Sequence, residues 1–341
     1  MNLLLLLTLT SCPDRTRSIS AGGLKVQKQM RQKQSGLQKQ LFMSDSYMRR
    51  LFPLFALFLA LTARAQMNPE WTTPLPPFQI ADNLYYVGSQ DLAAYLVTTP
   101  AGDILINANL ETSPPQIRAS VEKLGFQWAD TKILLNSQAH FDHMAGAAQI
   151  LRETGAKNMV MERDAEVVES GGRTDFLFAI KAVPAFPPAK VDRVLRHGNT
   201  VELGGVTLTA HKTAGHTIGC TTWTLPVHLP GEPADRLRNA VILGGVGFWD
   251  DFRLLDAGEQ KASYPGIAED FAQTFRVLQS LPCDLFLGAH GSYFGLKSKL
   301  PRLEKEGPQV FIDPDGYKEF VAKGQAAFET ALKKEQEAAG P

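Results

Sequence analysis

Between Asn136 and His143 the chain reads Asn-Ser-Gln-Ala-His-Phe-Asp-His, which sets three strong metal ligands (His140, Asp142 and His143) and one weak one (Gln138) close together. Imidazole and carboxylate groups at this density suit a dinuclear hydrolytic zinc site. In an extended loop Gln138 and His140 are two apart and point the same way, towards one metal. Asp142 and His143, where the chain turns into a following helix, can face a second. Two histidines remote in sequence, His216 and His290, complete the sets. The reading is Gln138, His140 and His216 at a first centre and Asp142, His143 and His290 at a second. Each has three protein ligands and an open position, as catalytic rather than structural zinc has. Gln138 is the oddity, because a neutral amide oxygen stands where zinc chemistry favours an imidazole. His197, His211 and His228 lack a comparable setting and read as ordinary hydrogen-bonded or surface residues.

The elements that must hold these ligands are legible around them. Ile133-Leu134-Leu135 reads as a short buried strand with the ligand cluster at its end. Ahead of it come strand-like segments Asn83 to Gly88, Ala94 to Thr98 and Asp103 to Asn107, punctuated by Pro100-Ala101-Gly102. Ser113-Pro114 opens a helix through Ile117, Val121 and Leu124 that Gly125 closes, with Ser113 as its cap, giving the order β-β-β-α-β. After the cluster, Ala145 to Thr154 reads as a helix and Asn158 to Met161 as a strand. The second half repeats the theme: strands at Thr200 to Glu202, Val206 to His211, Cys220 to Leu225, Ala240 to Leu243 and Asp284 to Leu287, with helices at Ile267 to Leu281 and Tyr317 to Glu337. Two strand-rich halves, each closed by helices, predict two sheets packed face to face with helices outside. Between Gly171 and Lys190 a long irregular loop carries Phe176, Phe178 and Phe186; loops of this length usually do something, here covering a substrate, or else pack against the surface.

The first 65 residues do not read as fold. Met48-Arg49-Arg50, the apolar run Leu51 to Leu61 and Ala63-Arg64-Ala65 form a secretory signal over residues 48–65, with cleavage before Gln66. Residues 1–47 then read as a non-structural extension or an early start, and residues 66–341 as one domain. Leu9-Thr10-Ser11-Cys12 resembles a bacterial lipobox and offers a competing, lipid-anchored reading. The apolar run is well below the roughly 20 residues that span a bilayer, so the expectation is a periplasmic or secreted protein without stable membrane contact. Of 35 Lys+Arg and 35 Asp+Glu, ten bases but only Asp14 and Asp45 lie in that leader, leaving 25 bases against 33 acids. A domain this acidic is repelled by phosphate backbones, which argues against a nuclease and any nucleic-acid partner. Cys220 and Cys283 could form one disulfide or remain two buried thiols.

With these residues in place a resemblance emerges. Gln138-Ala139-His140-Phe141-Asp142-His143 resembles the H-x-H-x-D-H ligand motif of the metallo-β-lactamase fold superfamily at every ligand except the first. The similarity continues through Ala214-Gly215-His216-Thr217 and Gly288-Ala289-His290-Gly291-Ser292-Tyr293-Phe294-Gly295. It extends to Trp71, Pro77-Phe78, Asn83 to Gly88 and Tyr264-Pro265-Gly266-Ile267, and these flanks look like the third subclass of metallo-β-lactamases. The resemblance implies an α/β fold, a four-layer αββα sandwich of two packed mixed sheets. It implies an enzyme that opens the β-lactam amide of penicillins, cephalosporins or carbapenems with two Zn2+ ions, through a hydroxide that Asp142 orients; a monomer is expected. Asp142, His143 and His290 would be its catalytic residues, and Trp71, Phe176, Phe178 and Tyr264 would contact substrate.

Three departures qualify that expectation. Gln138 resembles a minority of the subclass, in which the first centre binds metal weakly or differently. Tyr317 stands about where the resemblance would put a disulfide partner for Cys283, so that bridge is expected to be missing. Gly244-Gly245-Val246-Gly247 lacks the serines that often hold a substrate carboxylate. The alternatives are another hydrolase on this fold, acting on a lactone or thioester, and a non-catalytic zinc-binding exported protein.

Overall fold

Apolar residues on both faces of the central strands decide the architecture. The computed structural model describes residues 67–180, 183–248 and 252–339. The signal and lipobox readings lie outside these residues. Strands β1 (Phe78–Ala81), β2 (Leu84–Tyr86), β3 (Tyr95–Thr99) and β4 (Gly102–Ile106) form an antiparallel meander; β5 (Thr131–Leu135), β6 (Lys157–Met161) and β7 (Arg193–Leu195) extend it in parallel, making a seven-stranded sheet in sequential order. The second sheet has five strands, β8 (Thr200–Leu203), β9 (Val206–Lys212), β10 (Thr221–Val227), β11 (Arg238–Leu243) and β12 (Leu285–Gly288), the last parallel to β11.

Period-two alternation builds the layers. Tyr95, Val97, Ile104, Ile106, Ile133 and Leu135 face a core shared with Leu208, Ala210, Trp223 and Leu225 of the second sheet. The residues between them, Leu96, Leu105 and Leu134, face the opposite side and pack with Ile117, Val121 and Ile150. Those last come from helices α1 (Pro114–Lys123) and, beyond the short α2 (Phe141–Met144), α3 (Ala147–Thr154). α4 (Asp164–Ser170) and α5 (Phe176–Ala179) follow β6. Over the second sheet lie α6 (Ile267–Ser280), α7 (Leu296–Glu306) and α8 (Pro314–Ala339), with Phe271 and Phe275 of α6 packed on Phe328 of α8. The result is the expected αββα sandwich.

Several local expectations change. β1 adds a strand before the three anticipated, and α1 begins after Ser113 without a capping bond from its hydroxyl. The segment from Gly171 to Lys190 contains α5 and buries Asp175, Leu177, Val183, Phe186 and Ala189, so its described part packs as a strap on the domain. Cys220 and Cys283 are both free thiols. Cys283 shares a surface cavity with Tyr317, whose hydroxyl donates to the Leu278 carbonyl at 2.7 Å, so an aromatic ring fills the place beside that thiol. Among the described residues no helix is long and apolar enough to cross a membrane.

Candidate metal centres

The ligands all sit just beyond strand ends. β4, β5 and β6 run parallel in the first sheet, and β9, β11 and β12 run in one direction in the second; the segments after all six carry the site or its supports. After β4 the chain takes left-handed turns at Asn107 (φ 70°) and Asn109 (φ 55°), conformations that asparagine tolerates better than most residues. Asn107 accepts from the Ser137 N–H at 2.8 Å and donates to the Ala93 carbonyl, while the Ala108 and Asn109 N–H groups donate to the His143 carbonyl. Trp223 on β10 donates its indole N–H to the Asn136 carbonyl at 2.9 Å, tying the ligand loop to the opposite sheet. Gly146 is required just beyond α2, since a Cβ there would stand 2.4 Å from the Ala108 carbonyl oxygen.

The second centre is formed in detail. His143 Nε2 lies 3.1 Å from His290 Nε2, and Asp142 Oδ2 lies 3.3 Å from the first and 3.5 Å from the second. Three ligand atoms at the corners of a tetrahedron around zinc, each ~2.0–2.1 Å from it, stand about 3.3 Å apart. The triangle therefore has the dimensions of a zinc-binding face, and these three residues form a group able to hold a metal ion. Behind His290 stands Asp91, which accepts from His290 Nδ1 at 3.0 Å, from Trp71 Nε1 at 3.1 Å and from the Ser292 N–H at 2.8 Å. That bond commits Nδ1 as donor and leaves Nε2 as the ligand atom. Burial opposes charge throughout the cluster. The His143 and His290 imidazoles nevertheless hold Asp142 well below the usual carboxylate range, and Asp142 with Asp91 pushes His290 up to about 9. For Asp91, burial is likewise outweighed by His290 and Ser292, which bring it to about 2. A buried site that prefers a positive charge between two carboxylates is one a cation can fill.

The first centre is looser. The rings of His140 and His216 meet edge to face, with centroids 4.8 Å apart. His216 Nδ1 donates to the Gly247 carbonyl at 2.7 Å, leaving its Nε2 for a metal, and burial pushes its pKa down to about 4, so it is a neutral ligand at pH 7. His140 is also driven well below the usual histidine range, by burial and then by His216, and its Nε2 lies 3.8 Å from Asp175 Oδ2. The Gln138 amide donates to the Gly244 carbonyl in a long 3.5 Å contact. Its Oε1 is buried with no hydrogen-bond partner among the described residues, which fits an oxygen ligand to a cation.

Of the residues expected at substrate, Trp71 flanks the second centre, its ring 5.8 Å from His290 and 6.1 Å from Phe141. Phe176 packs on Tyr264 and Phe252, and Phe178 is half-buried against the same core. Tyr264 is buried with its hydroxyl 3.0 Å from Asp270, so that group is already engaged inside the fold. Sequence reading missed Asp91, Asp164 and Asp175, which support the ligands from segments far away in the chain; only their burial, invisible in sequence, marks them.

The Metallo-beta-lactamase superfamily model matches residues 93–229. The native FEZ-1 metallo-beta-lactamase of Legionella gormanii is 48% identical, with a TM-score of 0.73 over 77% of this chain and 98% of that one. The class B3 di-zinc metallo-beta-lactamase LRA-12 from an Alaskan soil metagenome is 36% identical, with a TM-score of 0.70 over 78% and 97%. A probable metallo-hydrolase of Burkholderia pseudomallei (strain 1710b) is 27% identical over 172 residues, 50% of this chain and 54% of that protein. The chain spans about half the length of the curated relatives it matches.

Proposed function

This chain belongs to the metallo-beta-lactamase superfamily, and from that premise we propose that it is a zinc hydrolase that opens the amide of β-lactams. The observation that carries the reading is the triangle of His143 Nε2, His290 Nε2 and Asp142 Oδ2, set in a chain 48% identical to a β-lactamase along almost all of that enzyme's length. Zinc at these ligands would supply hydroxide at neutral pH and polarise the attacked carbonyl. Asp142, held ionised by two imidazoles, is the group placed to bind the metal and orient the attacking hydroxide. Asp91 keeps His290 in the tautomer that ligates. Trp71 and Phe141 present an apolar wall beside His290, suited to seating a small, rigid ring and excluding bulk water. Gln138 makes the first centre the weaker of the two. The leader reading places the enzyme outside the cytoplasm, and the acidic domain favours a small-molecule substrate over nucleic acid.

Zinc-loaded protein assayed side by side on nitrocefin, imipenem and a simple lactone tests the proposal. Turnover of the β-lactams, lost on chelation and restored by zinc, is expected. Turnover of the lactone alone would transfer the reading to another hydrolase of this fold.

A further inference from the structure

Asp164 is buried, 1% exposed, at the start of α4, and its carboxylate bonds to residues outside that helix. Oδ2 accepts the Ala139 N–H at 3.0 Å and the Thr217 hydroxyl at 2.7 Å; Oδ1 accepts the Gly219 N–H at 2.7 Å. Ala139 lies between Gln138 and His140, and Thr217 adjoins His216. One side chain thus joins the two loops that carry all three ligands of the first centre, one loop from each sheet. The backbone is shaped to allow it. Arg163 adopts φ 74°, a conformation costly for a non-glycine residue, immediately before Asp164. Gly219 approaches so closely that a Cβ would lie 2.6 Å from the Glu162 carbonyl oxygen and 2.7 Å from the Asp164 amide nitrogen.

We propose that Asp164 is the positioning residue of the first metal centre, holding the Gln138–His140 loop and the His216 loop at the separation a metal ion requires. The inference rests on the zinc reading above and deepens it. Gln138 is a weak ligand, so affinity at this centre depends on how little the other donors must move to bind. Through these bonds Asp164 touches no ligand side chain and no residue of the second centre; it acts through Ala139, Thr217 and Gly219. A carboxylate suits the role because all three partners are donors. An asparagine would turn its own NH2 towards either the Gly219 or the Ala139 N–H.

The test is a zinc titration of metal-free parent, Asp164→Asn and Thr217→Val protein, followed by imidazole NMR, which reads His140 and His216 separately from His143 and His290. Asp164→Asn is expected to weaken zinc at the first centre by about 10–100-fold, the range for residues that orient ligands, with the second centre unchanged. Thr217→Val, which removes one of three donors, should weaken the same centre by a smaller factor and keeps the test alive if Asp164→Asn does not fold. Equal losses at both centres, or none, overturn the positioning role. A parent protein whose His140 and His216 never respond to zinc overturns the first-centre reading itself, a result distinct from failure of the clamp.

Discussion

A carboxylate behind a histidine turns an imidazole into a directed ligand, and Asp91 does this for His290 across 199 positions of sequence. Asp91→Asn keeps one acceptor oxygen for His290 and Trp71 but loses the acceptor facing the Ser292 N–H and the charge that favours a cation in front of the ring. It should weaken zinc at the second centre about 10–100-fold, measured by competition with a chromophoric chelator. Away from the site, burial and then Asp130 raise the Asp103 carboxyl from 3.8 to about 6. The folded chain holds this proton up to about pH 6, whereas the unfolded chain releases it near 3.8, so stability falls as pH climbs between those values. Asp103→Asn removes that loss. Relative to the parent it should be unchanged at pH 3 and more stable at pH 8 by roughly 1–2 kcal/mol after allowance for solvent screening, read from urea midpoints. The candidate ligands were legible in the sequence because Gln138, His140, Asp142 and His143 are neighbours in the chain. Asp91, Asp164 and Asp175 were not, because their meaning lies in contacts that only the fold creates.

At the level of elements, the long, strongly patterned pieces were readable and the short ones were not. β5 and α6 stand where their apolar runs put them. β7, three residues with two exposed, carries almost no pattern, and α4 opens from a left-handed arginine that no propensity predicts. α7 contains Pro301, which argues against a helix on sequence alone. The segment from Gly171 to Lys190 looked irregular because its anchors are isolated. Leu177 and Phe186 are each buried, and Asp175 accepts the Leu177 N–H at 2.7 Å while its other oxygen faces His140. Phe186 lies against Gly172 and donates its N–H to the Gly171 carbonyl, closing the base of the strap. Phe186→Ala should therefore cost about 3–5 kcal/mol, the range for emptying a buried aromatic site, seen as a lower thermal midpoint.

Across the whole molecule, neither sheet owns the candidate site. The first supplies Gln138, His140, Asp142 and His143 beyond β5, the second supplies His216 and His290 beyond β9 and β12, and Trp223 and Asp164 hold the two contributions together. The αββα class could be expected from two strand-rich halves, but their convergence on one edge required the sheet order. Diffraction at the zinc absorption edge, on crystals grown with limiting zinc, tests this arrangement most directly. A strong anomalous peak bounded by His143, His290 and Asp142 is expected, with a weaker one between Gln138, His140 and His216 that grows as zinc is raised. A structure in which zinc fills the Gln138 centre first, or binds at neither, would contradict that arrangement.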